Sequence, residues 1–399
     1  MKTADRIDSP DRTEATKPRA PRPAGRGVLR IGPWVAVPVR RTTVIAAAVS
    51  LLLLCAAAVA TLSMGRLGIA LPDLPSALAG DATGKNAFVL NRLRGPRLVV
   101  AVATGAAFGL SGALFQSVTR NPLGSPDVIG LGAGAGAGAA AAALFLPDVM
   151  PVAVGALLGA VLAMTVVFLS TGTGFRSPGR LVVAGIGVAA MATALTQYVV
   201  YAVERDKASA LTAYINGSLS ARSWDDAATI WTVLLVSLPF AALLARPLSI
   251  GEMGDDLSTG LGARPGRTAT WAVVLSIVLS AGAVSVAGPI AFISLTAPQI
   301  AKRVTRSGGP HLVMSTLLGA LLLVLADLTA QQLPLFDDLP VGLYTMAVGG
   351  AYLGYLLLRE WGGAAPRPGG GRRGRGPGGF KHIRRPRLWG VFFMGGGAL

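Results

Sequence analysis

A helix of about 17 to 25 apolar residues can cross a hydrocarbon core of roughly 30 Å, and apolar runs of this kind recur ten times between residues 43 and 358. They stand at 43–65, 97–118, 128–146, 150–170, 181–203, 227–245, 269–287, 289–301, 312–332 and 341–358, the eighth being the weakest because it is short and interrupted by Pro298. Lipid offers no partner to a bare N–H or C=O, so only helices or a closed barrel can span it. The runs lack the dyad alternation of barrel strands. The expected fold class is therefore an all-α polytopic membrane protein with ten transmembrane helices. With 52% hydrophobic and 14% charged residues, the 399-residue chain is too apolar for a soluble domain.

The formal charge of +17 invites a nucleic-acid reading, but its placement suits a membrane. With the N-terminus inside, most of the 36 Lys and Arg fall in inner segments, the asymmetry that orients membrane proteins. Both termini are thus expected in the cytoplasm: a basic tail at 1–42 and a Gly/Pro/Arg-rich tail at 361–399 flank a helical domain at 43–360. Both tails are expected to be disordered, since such composition cannot build a packed core. The polar segment before the first run is far longer than the charged start of a cleavable signal, so that run is expected to stay as an anchor. The tails carry much of the asymmetry, and Arg92, Arg94 and Arg97 form an outer excess that orientation does not explain.

Patterns that suggest other chemistry do not hold. GDATGKN (80–86) lacks the first glycine and the Ser or Thr of a phosphate loop. GLGAGAGAGAAAAAL (130–144) invites a dinucleotide-binding reading, but no strand precedes it, and small residues that let membrane helices approach closely explain it better. Cys55 is the single cysteine and His311 and His382 lie in separate regions, so no disulfide or zinc site is expected. Asp327, inside the ninth run, suggests proton coupling or, as the better reading, a hydrogen-bonded or lipid-interface acid near a helix end. No cofactor and no catalytic group are expected.

Three constellations remain. In LRGPR (93–97), Pro96 suits the first turn of a helix; Arg94 and Arg97 would then stand at an outer helix N-terminus, where two guanidinium groups and the helix dipole favour an anionic partner such as a carboxylate, the alternative being that they snorkel to lipid headgroups. In TRNPLGSPD (119–127), Pro122 and Pro126 stop that helix in a short inner turn that is either a connection or a gate. In RPLSIGEMGDDLSTGLGARPGRTAT (246–270), Glu252 to Leu261 reads as one short amphipathic helix with Met253, Leu257 and Leu261 at intervals of four. Glu252, Asp255 and Asp256 would be repelled by an anionic leaflet, so a protein partner suits this helix better than lipid.

Together with SGALFQSVTRNPLGSPDVIGLGAGAG (111–136), RLVVAGI (180–186), GDDLSTGLG (254–262), VAGPIAFISLTAPQIAKR (286–303) and DLPVGLYTMAVGG (338–350), these pieces occur in one order. In them the chain resembles the FecCD-type permeases of ATP-driven importers for ferric siderophores and cobalamin. The resemblance implies a ten-helix protomer paired with a second permease subunit, a cytoplasmic ATP-binding subunit and an extracytoplasmic substrate-binding protein. It implies that Arg94 and Arg97 receive carboxylates from the binding protein. It also implies cytoplasmic gates at Asn121 and Leu123 and at Ser177, Pro178 and Gly179. Residues 252–262, including Gly254 and Gly262, match the coupling helix that rests in a groove of the ATPase. Many relatives carry an arginine where Gln331 stands, in a third arm of the docking site. ADLTAQQL (326–333) and VGGAYL (348–353) look most like one permease of the heterodimeric enterobactin-type importers. The implied function is import of a ferric siderophore through the cytoplasmic membrane, energised by a separate ATPase. The alternatives are a cobalamin or haem importer of the same family, an ion-gradient-driven transporter and a structural scaffold.

Overall fold

The computed structural model describes residues 26–31, 35–65, 67–147, 149–172, 178–202, 211–333 and 339–363. Helices stand at the ten apolar runs: α1 (Arg41–Ser63), α2 (Arg94–Thr119), α3 (Leu131–Phe145), α4 (Val152–Ser170), α5 (Pro178–Ala202), α6 (Trp224–Gly251), α7 (Pro265–Ala287), α8 (Ile293–Thr305), α9 (Leu312–Gln332) and α10 (Val341–Gly363). Among the described residues, seven helical stretches are long and apolar enough to cross a membrane; they contain α1, α2, α4, α5, α6, α7 and α9. α3 and α8 are shorter, at 15 and 13 residues. Residues up to Gly354 form one unit, and Tyr355 begins a second that holds the end of α10.

The N-terminal tail departs from expectation. β1 (Arg26–Ile31) and β2 (Val35–Arg40) pair as an antiparallel ribbon with Arg26 opposite Arg40, and RGVLRI and VAVPVR supply the Val and Ile that suit strands. Residues 1–25 and 364–399, which carry the rest of the two tail expectations, lie outside the described residues.

The bundle is built around α2, which packs against α6, α7, α8 and α9. Its small residues make that possible. A Cβ at Gly105 would lie 2.4 Å from the Gly319 carbonyl oxygen, and one at Gly109 2.1 Å from that of Ser315; the two backbones touch, as small-residue membrane interfaces allow. On the α7 side, the Ser111 hydroxyl lies 2.7 Å from the Ser280 hydroxyl and 2.8 Å from that of Ser276, so buried polar groups satisfy one another between helices. The small-residue reading of 130–144 holds in the same way. A Cβ on Gly138 of α3 would stand 2.1 Å from the Gly155 carbonyl oxygen of α4, and one on Gly159 2.3 Å from that of Gly134.

Three boundaries differ from the sequence reading. α2 itself starts at Arg94, beside Pro96 as expected, but helix continues back from it to Gly84. Residues 89–93 form a π turn in which the Arg94 N–H reaches back to the Val89 carbonyl, a widened turn of the kind found as a single insertion within α-helices. Arg94 and Arg97 therefore do not sit at a free helix N-terminus, and the dipole argument does not apply to them. The segment expected as one helix from Glu252 to Leu261 is divided: α6 continues to Gly251, Gly254 (φ 103) breaks the chain, and a helix of six residues occupies Asp255–Gly260. α8 begins at Ile293, four residues later than expected, after a non-helical stretch at 288–292 that ends on Phe292 at φ 70.

Candidate functional site

At the end of the bundle where α2 begins, the two arginines are held differently. Arg94 is 8% exposed. Its Nη1 donates to the carbonyl of Thr61 at 2.7 Å and to that of Met64, the last-turn carbonyls that α1 cannot satisfy by itself. This is a tie between α1 and α2, not the freely presented anion-binding group expected from the sequence. Arg97 grips the Asp327 carboxylate on α9, with Nε 3.0 and 3.1 Å from its oxygens and Nη2 at 2.7 Å. Gln331 completes the cluster by donating from Nε2 to Asp327 Oδ2 at 2.6 Å. Asp327 is buried and fully engaged, which is the hydrogen-bonded reading preferred above. Of the three expected docking residues, Arg97 and Gln331 share this cluster and both keep some exposure.

At the opposite end of α2, the chain turns sharply. Arg120 caps the helix at φ 49, and Asn121 Oδ1 accepts the Leu123 N–H at 2.9 Å, a turn that Asn side chains form readily. The loop is fastened from α8: Gln299 Nε2 donates to the Pro122 carbonyl at 3.1 Å and to Gln116 Oε1 at 2.6 Å. Leu123 itself is exposed. Of the second expected gate, Pro178 and Gly179 begin α5, Gly179 is exposed, and Ser177 lies outside the described residues.

Beside this loop stands the segment expected to meet a partner. Met253, Leu257 and Leu261, standing before, within and after the short helix, are 63%, 64% and 65% exposed, and no other part of the described chain covers them. Glu252 accepts the Gly309 N–H at 2.9 Å, Asp255 pairs with Arg120, and Asp256 is exposed. Gly254 (φ 103) and Gly262 (φ 81) bracket the short helix in a conformation that glycine alone adopts without strain.

Two residues that the sequence reading passed over enter here. Arg120 stood inside a quoted motif without a role; its position directly before Asn-Pro was the available signal. Asp127, in the link between α2 and α3, accepts from Ser294 Oγ at 2.8 Å, while its Oδ1 is shut off from solvent. Burial pushes this carboxyl up to about 6, against the downward pull of the Ser294 hydrogen bond.

A bundle with seven helical stretches long and apolar enough to cross a membrane marks a polytopic membrane protein. The chain belongs to the FecCD transport family, which matches residues 51–359. It is 38% identical over 286 residues to the ferric enterobactin transport system permease protein FepG of Escherichia coli (strain K12), covering 71% of this chain and 87% of that protein. It is 34% identical over 325 residues to the achromobactin transport system permease protein CbrC of Dickeya dadantii (strain 3937), covering 80% and 93%. Among solved structures, a metal-chelate type ABC transporter in an inward-facing conformation superposes with a TM-score of 0.69 at 24% identity, over 78% of this chain and 98% of that one. That likeness establishes the permease fold.

Proposed function

We propose that this chain is the membrane-spanning permease subunit of an ATP-driven importer that moves a ferric siderophore into the cytoplasm. The observation that carries the proposal is the exposed stripe of Met253, Leu257 and Leu261 on a glycine-bracketed segment. The sequence carries no phosphate loop, so ATP hydrolysis is assigned to a separate cytoplasmic subunit, with the stripe as its contact. The name of FepG supports an iron complex as cargo.

In this reading all ten helices cross or enter the membrane, both termini lie in the cytoplasm, and the Arg120 end faces inward. Arg97 and Gln331, beside Asp327, form the docking surface for an extracytoplasmic substrate-binding protein. Arg94 supports that surface by fixing α1 to α2. Asn121 and Leu123 form one cytoplasmic gate, and Ser177, Pro178 and Gly179 border the other.

The translocation path runs between this chain and a second, non-identical permease. A homodimer would offer the same docking surface to both lobes of a binding protein, whereas a heterodimer can carry Gln331 on one side and an arginine on the other. Reconstitution with the ATPase and binding protein, with and without a homologous second permease, tests the pairing. Transport is expected only in the complete set. Substrate-stimulated transport by this permease alone with its ATPase and binding protein would remove the heterodimer from the proposal.

A further inference from the structure

Arg120 joins three elements at one point. It is the C-terminal cap of α2, it directly precedes the Asn121–Leu123 loop, and its Nη2 donates to the Gly251 carbonyl at 2.9 Å and to the Asp255 carboxylate. Gly251 ends α6 and Asp255 begins the short helix, so this one guanidinium holds the chain on both sides of the Gly254 break.

The surroundings favour movement of the short helix rather than of the loop. Gly254 and Gly262 flank the helix with positive φ, and a Cβ at either would meet nothing within 4 Å. Behind the helix lies a cavity of about 570 Å³ bordered by Thr119, Pro247, Ser258, Pro265 and Thr268. The loop, by contrast, is internally pinned by the Asn121 turn and fastened through Gln299. A displacement of Asp255 would thus act on Arg120, the residue that directly precedes this fastened loop.

We infer that Arg120 is a positioning residue for transport: its pairing with Asp255 links the segment that meets the ATPase to the loop assigned as a gate. The inference rests on the importer reading above. Arg120 and Asp255 are largely exposed, and ion pairs in that setting contribute little to folding. The value of the link therefore lies in geometry, and its removal leaves the fold intact.

The test uses the complete reconstituted importer and measures both ATP hydrolysis and uptake of the same iron complex, giving uptake per ATP. Arg120→Gln should retain ATP hydrolysis while uptake per ATP falls about five- to tenfold, the lower range of couplings carried between two sites, and Asp255→Asn, which lies in the segment that meets the ATPase, should show the same fall in that ratio whatever its rate of ATP hydrolysis. The exchanged pair, Arg120→Asp with Asp255→Arg, should recover most of the lost ratio. Single variants with wild-type uptake per ATP, or an exchanged pair no better than the single ones, would overturn the link. Thermal unfolding of each variant identifies a collapse of the fold, in which case the claim that the pair is dispensable for folding is itself overturned. If the wild-type importer shows no ATP-driven uptake, the importer reading fails; if it does and the variants match it, only the Arg120 link fails.

Discussion

Neutralising Asp327 should damage the protein before it damages any docking. The carboxylate is 1% exposed and receives three contacts from Arg97 and one from Gln331. Asp327→Asn leaves the Arg97 guanidinium facing a neutral amide in a largely enclosed site. Breaking a buried ion pair by removing one partner costs about 3 to 5 kcal/mol. The Arg97 side chain retains 21% of its exposure, so water relieves part of the penalty and about 3 kcal/mol, the low end of that range, is expected. Arg97→Gln should cost a similar amount by leaving Asp327 charged and unpaired. The double replacement Arg97→Met with Asp327→Leu removes both charges and should cost much less than the sum, giving a coupling of about 2 kcal/mol or more, as contacting residues show. Unfolding by titrated sodium dodecyl sulfate in mixed micelles, followed by tryptophan fluorescence, measures all three. Single losses below about 1 kcal/mol that simply add in the double variant would refute the argument, because they would describe a solvated surface pair.

Three further outcomes follow from the same geometry. Leu257→Asp, in the exposed stripe, should abolish co-purification of the ATPase while leaving the permease folded; a normal yield of the complex would remove the stripe from that contact. Gly138→Ala should destabilise the α3–α4 pair by about 1 to 3 kcal/mol through overpacking, because its Cβ would stand 2.1 Å from a carbonyl oxygen, whereas Gly136→Ala, with nothing closer than 3.8 Å, should be close to neutral; equal effects at the two positions would contradict the packing described. With Cys55 replaced by Ala, Thr83→Cys should react with an impermeant thiol reagent in intact cells and Met253→Cys should not; equal labelling of both would overturn the proposed orientation.

Much of the fold was legible because lipid imposes one rule on every segment. Apolar run length placed the helices, and the small residues of 130–144 were correctly read as packing rather than as a nucleotide turn. What the sequence did not show was how neighbouring segments reshape a helix end. Pro96 reads as a first-turn residue and is one in α2, but the π turn at 89–93 that joins α2 to further helix carries no signature in the residue types. Gly254 looks tolerable inside a short amphipathic stretch until its positive φ divides that stretch. At the candidate site, Met253, Leu257 and Leu261 are exposed, but the spacing that singled them out assumed one unbroken helix, which Gly254 divides. The role of Arg94 was not readable, because its partners are backbone carbonyls of α1 that carry no signature in the residue types. Arg97 and Asp327 lie 230 residues apart in the chain, so each was recognised as unusual while their pairing was invisible.

The central claim is that this permease moves ferric siderophore at the expense of ATP hydrolysed by a partner. The most direct measurement is uptake of radioactive iron, supplied as its siderophore complex, into proteoliposomes holding this chain, its second permease and its ATPase, with the binding protein outside and ATP inside. Uptake is predicted to require ATP and the binding protein and to persist when proton and sodium gradients are collapsed. Uptake that continues without ATP and stops when the gradient is collapsed would contradict the account and identify a gradient-driven transporter.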